Sequence, residues 1–219
     1  MKDNKVVSLC NEIIGIFNKH GKEVTELHVE EKFSKFSYPK LMPLMRFVTN
    51  FYKVDNIGNM FIMKTDSPFM QLLTVSITPY DNVPLPYTLI DIMISKRKIV
   101  FFIEYYSCTD VKLNNKLLLH NRHYADKNFT DYKEKSAWYN RDGVRESFSI
   151  IKESSKFSEV EKMILMSIRN IIGTSHLNDG YNIEHTKLSI LRDRMLKEGN
   201  PATGTLKRIF SNSEIEQLY

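Results

Sequence analysis

The chain has 219 residues, is 42% hydrophobic and 26% charged, and carries a formal net charge of +5. A chain of this size can bury a full core without disulfide or metal staples, and its composition is that of an ordinary globular protein. The two cysteines, Cys10 and Cys108, are too few for a four-thiolate iron–sulfur cluster or a disulfide framework, and no apolar run is long enough to span a membrane.

In chain order, Met-Lys-Asp-Asn-Lys opens the sequence and leads into an amphipathic pattern, not a signal-peptide core, so a cytoplasmic protein is expected. Val6, Leu9, Ile13, Ile16 and Phe17 recur at helical spacing, which predicts a helix over 5–19 with Gly21 as its stop. Residues 24–63 are mixed, with β-like stretches at 26–33 and 59–64 around Tyr38-Pro-Lys-Leu-Met-Pro43, an irregular turn or edge. Three strands follow at 71–78, 87–95 and 98–106. The connection Ser95-Lys-Arg-Lys98 is tight enough to make its two strands antiparallel neighbours. Residues 109–147 are polar and poorly periodic, a long excursion of the kind found over binding sites.

A short strand is expected at 147–152, and Ser158-Glu-Val-Glu161 reads as a capping box opening a helix that ends at Gly173. Further helices are expected at 183–197 and at 202–219, the last broken near Ser211-Asn-Ser213. Length makes a single domain over 1–219 the simplest division. Helix, sheet, then helices predicts an α+β fold: an α/β/α sandwich whose central, mainly antiparallel sheet is flanked by helices.

The chemistry concentrates on Asp91, a lone carboxylate inside the apolar strand Tyr87-Thr-Leu-Ile-Asp-Ile-Met-Ile-Ser95. An ionised carboxylate is expensive to bury, so such a group is paired, protonated or functional. Period-2 alternation places Thr74, Ser76 and Thr78 on one polar face of their strand. A few convergent polar groups in apolar surroundings are the usual pattern of a ligand site. General acid catalysis by Asp91 and a structural buried hydrogen bond are both open on this pattern.

Other chemistries find less support. The eight glycines include no G-x-G pair, so a dinucleotide fingerprint and a P-loop are absent. His120 and His123 lack further ligands nearby, so no metal site is expected. A nuclease core would place Glu-x-Lys on the strand after Asp91, whereas Glu104-Tyr-Tyr106 lacks the lysine.

The stretches Leu73-Thr-Val-Ser-Ile-Thr-Pro79, Val83-Pro-Leu-Pro86, Asp91-Ile-Met and Ile103-Glu-Tyr-Tyr-Ser107 resemble the ferredoxin-dependent bilin reductases. Gly199-Asn-Pro-Ala-Thr-Gly-Thr-Leu-Lys-Arg-Ile-Phe210 resembles the closing segment of that family. The resemblance covers about a quarter of the chain. In the family a Leu-Pro-x-x-Gly-x-Asp motif ends on the central catalytic acid, which matches Asp91 reached through Leu85-Pro86. This chain departs at the motif glycine, replaced by Leu89. Thr74 stands where many members pair a His or Asn with the acid, and Asn200 where the C-terminal segment often has an acid.

The resemblance implies an oxidoreductase that reduces biliverdin IXα or a related bilin at CH–CH, vinyl or methine groups. Electrons would come singly from reduced ferredoxin, with no permanently bound cofactor, and neither nucleic acid nor membrane would be a partner. It implies Asp91 as the proton donor and Thr74, Ser107 and Asn200 as substrate contacts. The positive charge suits an acidic electron carrier. A non-catalytic tetrapyrrole binder and a basic nucleic-acid-binding domain are the alternatives.

Overall fold

The structure is a computed structural model and describes residues 5–38, 45–67, 70–83, 85–106, 115–131, 149–175, 207 and 209–215. Helix α1, Lys5–Lys19, buries the stripe Val6, Leu9, Ile13, Ile16 and Phe17. It ends as its sequence dictates: Gly21 takes φ +70°, Lys22 N–H donates to the Phe17 carbonyl, and Gly21 N–H to that of Asn18. This is the Schellman ending that a glycine permits without side-chain strain.

Strands β1 (Val24–Leu27) and β2 (Lys35–Tyr38) follow, separated by the single helical turn α2 (Glu31–Ser34). Both pair with the same edge of β3 (Met45–Val54), at its far and near ends respectively. The expected β-like stretch at 26–33 is thus part strand and part helical turn, and β3 arises in a region expected to be mixed. The sheet continues through β4 (Gly58–Asp66), β5 (Gln71–Pro79), β6 (Tyr87–Ile94), β7 (Ile99–Tyr106), β8 (Thr130–Asp131) and β9 (Ser149–Ser154). The order is β1-β3-β4-β5-β6-β7-β9-β8 with β2 beside β3, and every pairing among these nine strands is antiparallel.

One sheet face carries Leu73, Val75 and Ile77 on β5, Ile90 and Ile92 on β6, and Ile99, Phe101 and Ile103 on β7. Against it pack α1 and α4 (Phe157–Thr174), the latter through Val160, Met163, Ile164, Ile168 and Ile171. Each such aliphatic or aromatic side chain contributes about 1.5–3 kcal/mol when fully buried, and this layer is the larger of the two apolar clusters among the described residues.

Helix α3 (Asn115–Asn128) lies within the excursion expected to be irregular. A buried polar cluster docks it: Asn121 donates to Tyr105 Oη (3.2 Å) and Ser167 Oγ (3.1 Å), and accepts from Asn170 Nδ2 (2.5 Å). The described architecture is an α+β sandwich with an antiparallel sheet and flanking helices.

Two expected helix boundaries move. Helix α4 begins at Phe157 with Lys156 as its N-cap, so Ser158 lies inside the helix and caps nothing. It runs through Gly173 to Thr174, with no left-handed residue at its end. The capping box instead forms at Ser211–Glu214, ahead of the short helix α5 (Asn212–Ile215). There Ser211 N–H donates to Glu214 Oε2 at 2.9 Å and Glu214 N–H to Ser211 Oγ at 3.4 Å. The expected helix at 183–197 lies outside the described residues.

Gly58 closes the β3–β4 turn at φ +158°, where an added Cβ would sit 2.0 Å from the Thr78 carbonyl oxygen. Gly58→Ala should therefore cost roughly 1–3 kcal/mol, read as a lower urea midpoint. An unchanged midpoint would mean that β4 and β5 do not approach this closely.

Candidate active site

The second face of the sheet is chemically different. Side chains alternate between faces with a period of two, so register partners and their i±2 neighbours share a face. One row across this face reads Thr49, Met63, Thr74, Asp91 and Phe102, on β3 to β7. The adjacent row reads Phe51, Phe61, Ser76, Leu89 and Glu104.

At the β3–β4 side the face is apolar. Phe47, Phe61, Met63 and Ile215 form a separate cluster, with Phe36, Phe51 and Phe210 packed against it. Residues 209–215 thereby dock on this face, aided by the Phe210 ring 5.1 Å from Phe36 and by the Lys32–Glu214 ion pair at 3.4 Å. Toward β5–β7 the face turns polar yet stays buried: Thr74, Ser76 and Glu104 are each 5% exposed and Asp91 is 7% exposed.

Strand pairing sets Asp91 directly opposite Thr74, and Thr74 Oγ1 donates to Asp91 Oδ1 at 2.5 Å. Asp91 makes no ion pair among the described residues, and Oδ2 has no hydrogen-bond partner there. Burial pushes the Asp91 carboxyl from 3.8 up to about 6, while the Thr74 hydrogen bond pulls the other way by favouring the charged form. A carboxyl tuned this close to neutrality can hold a proton at one oxygen and release it to a basic ligand atom.

Of the residues singled out in the sequence, Asp91 and Thr74 are brought together, and Ser107 and Asn200 lie outside the described residues. His123 is exposed on α3, and among the described residues no group of three or more His, Cys, Asp or Glu side chains could hold a metal ion. Sequence reasoning passed over Met63 and Phe102, the apolar neighbours of the Thr74–Asp91 pair in its row. Met63 belongs to the uninterrupted apolar run Met60-Phe61-Ile62-Met63, so only its register with Thr74 shows which face it takes.

A groove of about 640 Å³ lies between β1, α2 and β3, lined by Glu26, His28, Glu31, Asn50 and Phe51 among others. Of its lining, Thr49 and Phe51 stand on the Asp91 face and Asn50 on the other, and Thr49 is three strands from Asp91 along the same row, so the groove is not at Asp91.

No protein-family model matches the chain, and no curated protein matches its sequence. Among solved structures it is similar to that of selenomethionine phytochromobilin synthase from tomato in complex with biliverdin. The TM-score is 0.70 at 14% sequence identity, covering 92% of this chain and 76% of that chain. At that identity the likeness is one of fold.

Proposed function

We propose that this chain reduces an open-chain tetrapyrrole, biliverdin IXα or a close relative, with Asp91 as the proton donor. The observation that carries the reading is a buried carboxyl, raised to about 6 and tied at one oxygen to Thr74, on the polar half of a sheet face. The likeness in fold to a biliverdin-bound phytochromobilin synthase supports the choice of ligand.

Reducing one double bond of the pigment consumes two electrons and two protons. Reduced ferredoxin would deliver the electrons one at a time, and the chain's excess of cations favours an acidic carrier of that kind. A proton from Asp91 Oδ2 neutralises negative charge as it develops on the pigment, which eases acceptance of the electron. Thr74 acts on Asp91 through its hydrogen bond, and Ser107 and Asn200 are proposed as pigment contacts.

The test is to titrate the protein with biliverdin, record the absorbance spectrum, and then add a ferredoxin reducing system without oxygen. A shifted pigment band that then bleaches into a new product band is the expected result. A shifted band that reducing equivalents leave unchanged would make the protein a tetrapyrrole carrier. No spectral shift at all would remove the bilin reading altogether.

A further inference from the structure

We propose that one end of the sheet, built around Lys96, Arg97 and Lys156, is the docking surface for an acidic one-electron carrier. This rests on the bilin-reductase reading, which requires electrons to enter somewhere on the surface. Net charge alone does not locate that place, because cations are spread along the whole chain. Strand pairing does.

Ile99, the first residue of β7, stands opposite Ile94 on β6 and Ser154 on β9. The turn 95–98 and the turn that follows Ser154 therefore leave the sheet side by side. A serine fastens each of them. Ser95 N–H and Oγ donate to the Lys98 carbonyl at 2.9 and 2.8 Å, and Lys156 N–H donates to Ser154 Oγ at 2.9 Å. Lys96, Arg97, Lys98 and Lys156 are all exposed on these turns. Lys5 joins them, since its Nζ lies 5.2 Å from the centre of the Phe157 ring at the start of α4. Among the described residues the nearby acids are Glu153, ion-paired to Lys98 at 3.3 Å, and Glu161, close to Lys5. Farther along this end, Asp66 stands opposite Arg46.

Two of these cations occupy positions that the helices themselves disfavour. A helix N-terminus carries a partial positive charge and is stabilised by acids. Yet Lys156 is the N-cap of α4 and makes no side-chain hydrogen bond to it, and Lys5 opens α1, whose first turn has no acid. Local rules broken in this way are expected at functional surfaces. Here the two helix ends add their own positive field to that of the side chains.

The opposite end of the sheet provides a comparison. Asp91 is four residues from Tyr87 and four from Ser95, about 13 Å along β6 in either direction. Distance does not choose between the ends, but charge does. The turns at the Tyr87 end expose Asp55 and Asp81 beside Lys53, which offers an acidic partner no consistent attraction. Each encounter at the basic end passes one electron to the pigment and oxidises one carrier. Two encounters, with two protons drawn from solvent by way of Asp91, reduce one double bond.

The experiment measures, by anaerobic stopped-flow at several salt concentrations, the second-order rate at which reduced ferredoxin reduces bound biliverdin. The proteins are the wild type, the double variant Lys96→Glu with Arg97→Glu, Lys156→Glu and, at the other end, Lys53→Glu. The double variant and Lys156→Glu should each lose roughly tenfold of the low-salt rate and show a shallower salt dependence. Lys53→Glu, which changes net charge as much as Lys156→Glu does, should stay within about twofold of the wild type. All should bind biliverdin with the same spectrum. Lys156→Glu should also unfold at a higher urea concentration, because an acid replaces a cation at the start of α4.

Wild-type rates in both patch variants would overturn the proposal. So would an equal loss in Lys53→Glu, which would make the effect one of net charge alone. A short DNA duplex that binds this end and resists displacement by excess ferredoxin would overturn it too, in favour of a nucleic-acid surface. If the wild-type protein itself leaves bound biliverdin unreduced, the bilin-reductase reading fails and takes this proposal with it. That outcome is distinct from an active wild type matched by equally fast patch variants.

Discussion

Asp91→Asn should bind biliverdin within a few-fold of the wild-type affinity and lose roughly 10²- to 10⁴-fold of its turnover. Asparagine keeps the shape of the side chain and an Oδ1 acceptor for Thr74 Oγ1, so the 2.5 Å hydrogen bond across β5 and β6 can persist. What changes is the second position. A carboxyl that releases a proton becomes an amide that does not, and no other ionisable side chain among the described residues is hydrogen-bonded to Thr74. Single-turnover absorbance after mixing with reduced ferredoxin separates the two quantities, because the initial band reports binding and its decay reports reduction. Turnover at the wild-type rate would show that the proton has another source, and Asp91 would be reduced to a structural group.

The pH dependence of activity and stability follows from the same side chain. Raising a carboxyl from 3.8 to about 6 corresponds to a preference of about 3 kcal/mol for its neutral form inside the fold. The folded state therefore binds the proton more tightly than the unfolded chain does. The stabilising contribution is fully present below the ordinary carboxyl value and is lost as pH rises through about 6. The wild-type protein should lose up to about 3 kcal/mol relative to Asp91→Asn between pH 4 and pH 8, because the amide carries no charge to bury.

Urea unfolding of both proteins across that range measures the difference, and parallel stability curves would refute it. Reduction should likewise slow above about pH 6, as the donor loses its proton before pigment arrives. Thr74→Val removes the hydroxyl that favours the charged form, so the midpoint of that decline should move to higher pH. Thr74→Ser, which retains a hydroxyl, should restore it. A midpoint indifferent to both changes would mean that the Thr74 contact does not influence the acid.

Patterns along the chain announce some elements and conceal others. Helix α1 is legible because its stripe from Val6 to Phe17 faces one apolar layer and Gly21 terminates it. Strands β5, β6 and β7 are legible because runs such as 87–94 are apolar on both faces and joined by short turns. Strand β3 is hidden because its buried positions include Thr49, whose hydroxyl is bonded to the Phe33 carbonyl, so its alternation does not read as hydrophobic. Helix α3 is hidden because Asn121, fully buried, holds it by hydrogen bonds that no hydrophobic period records. The capping box at Ser158–Glu161 and the one at Ser211–Glu214 are the same local signal. Only the second forms, because α4 begins one residue ahead of Ser158.

What the sequence determined by itself is the sheet-and-helix class of the fold and the presence of an acid in the middle of an apolar strand, since both follow from periodicity along a single segment. That Thr74 faces Asp91, and that Glu104 shares their surface, was decided only by the pairing of β5, β6 and β7. Register is a relation between strands distant in sequence, and a shift of one residue would have turned the acid's neighbours to the opposite face.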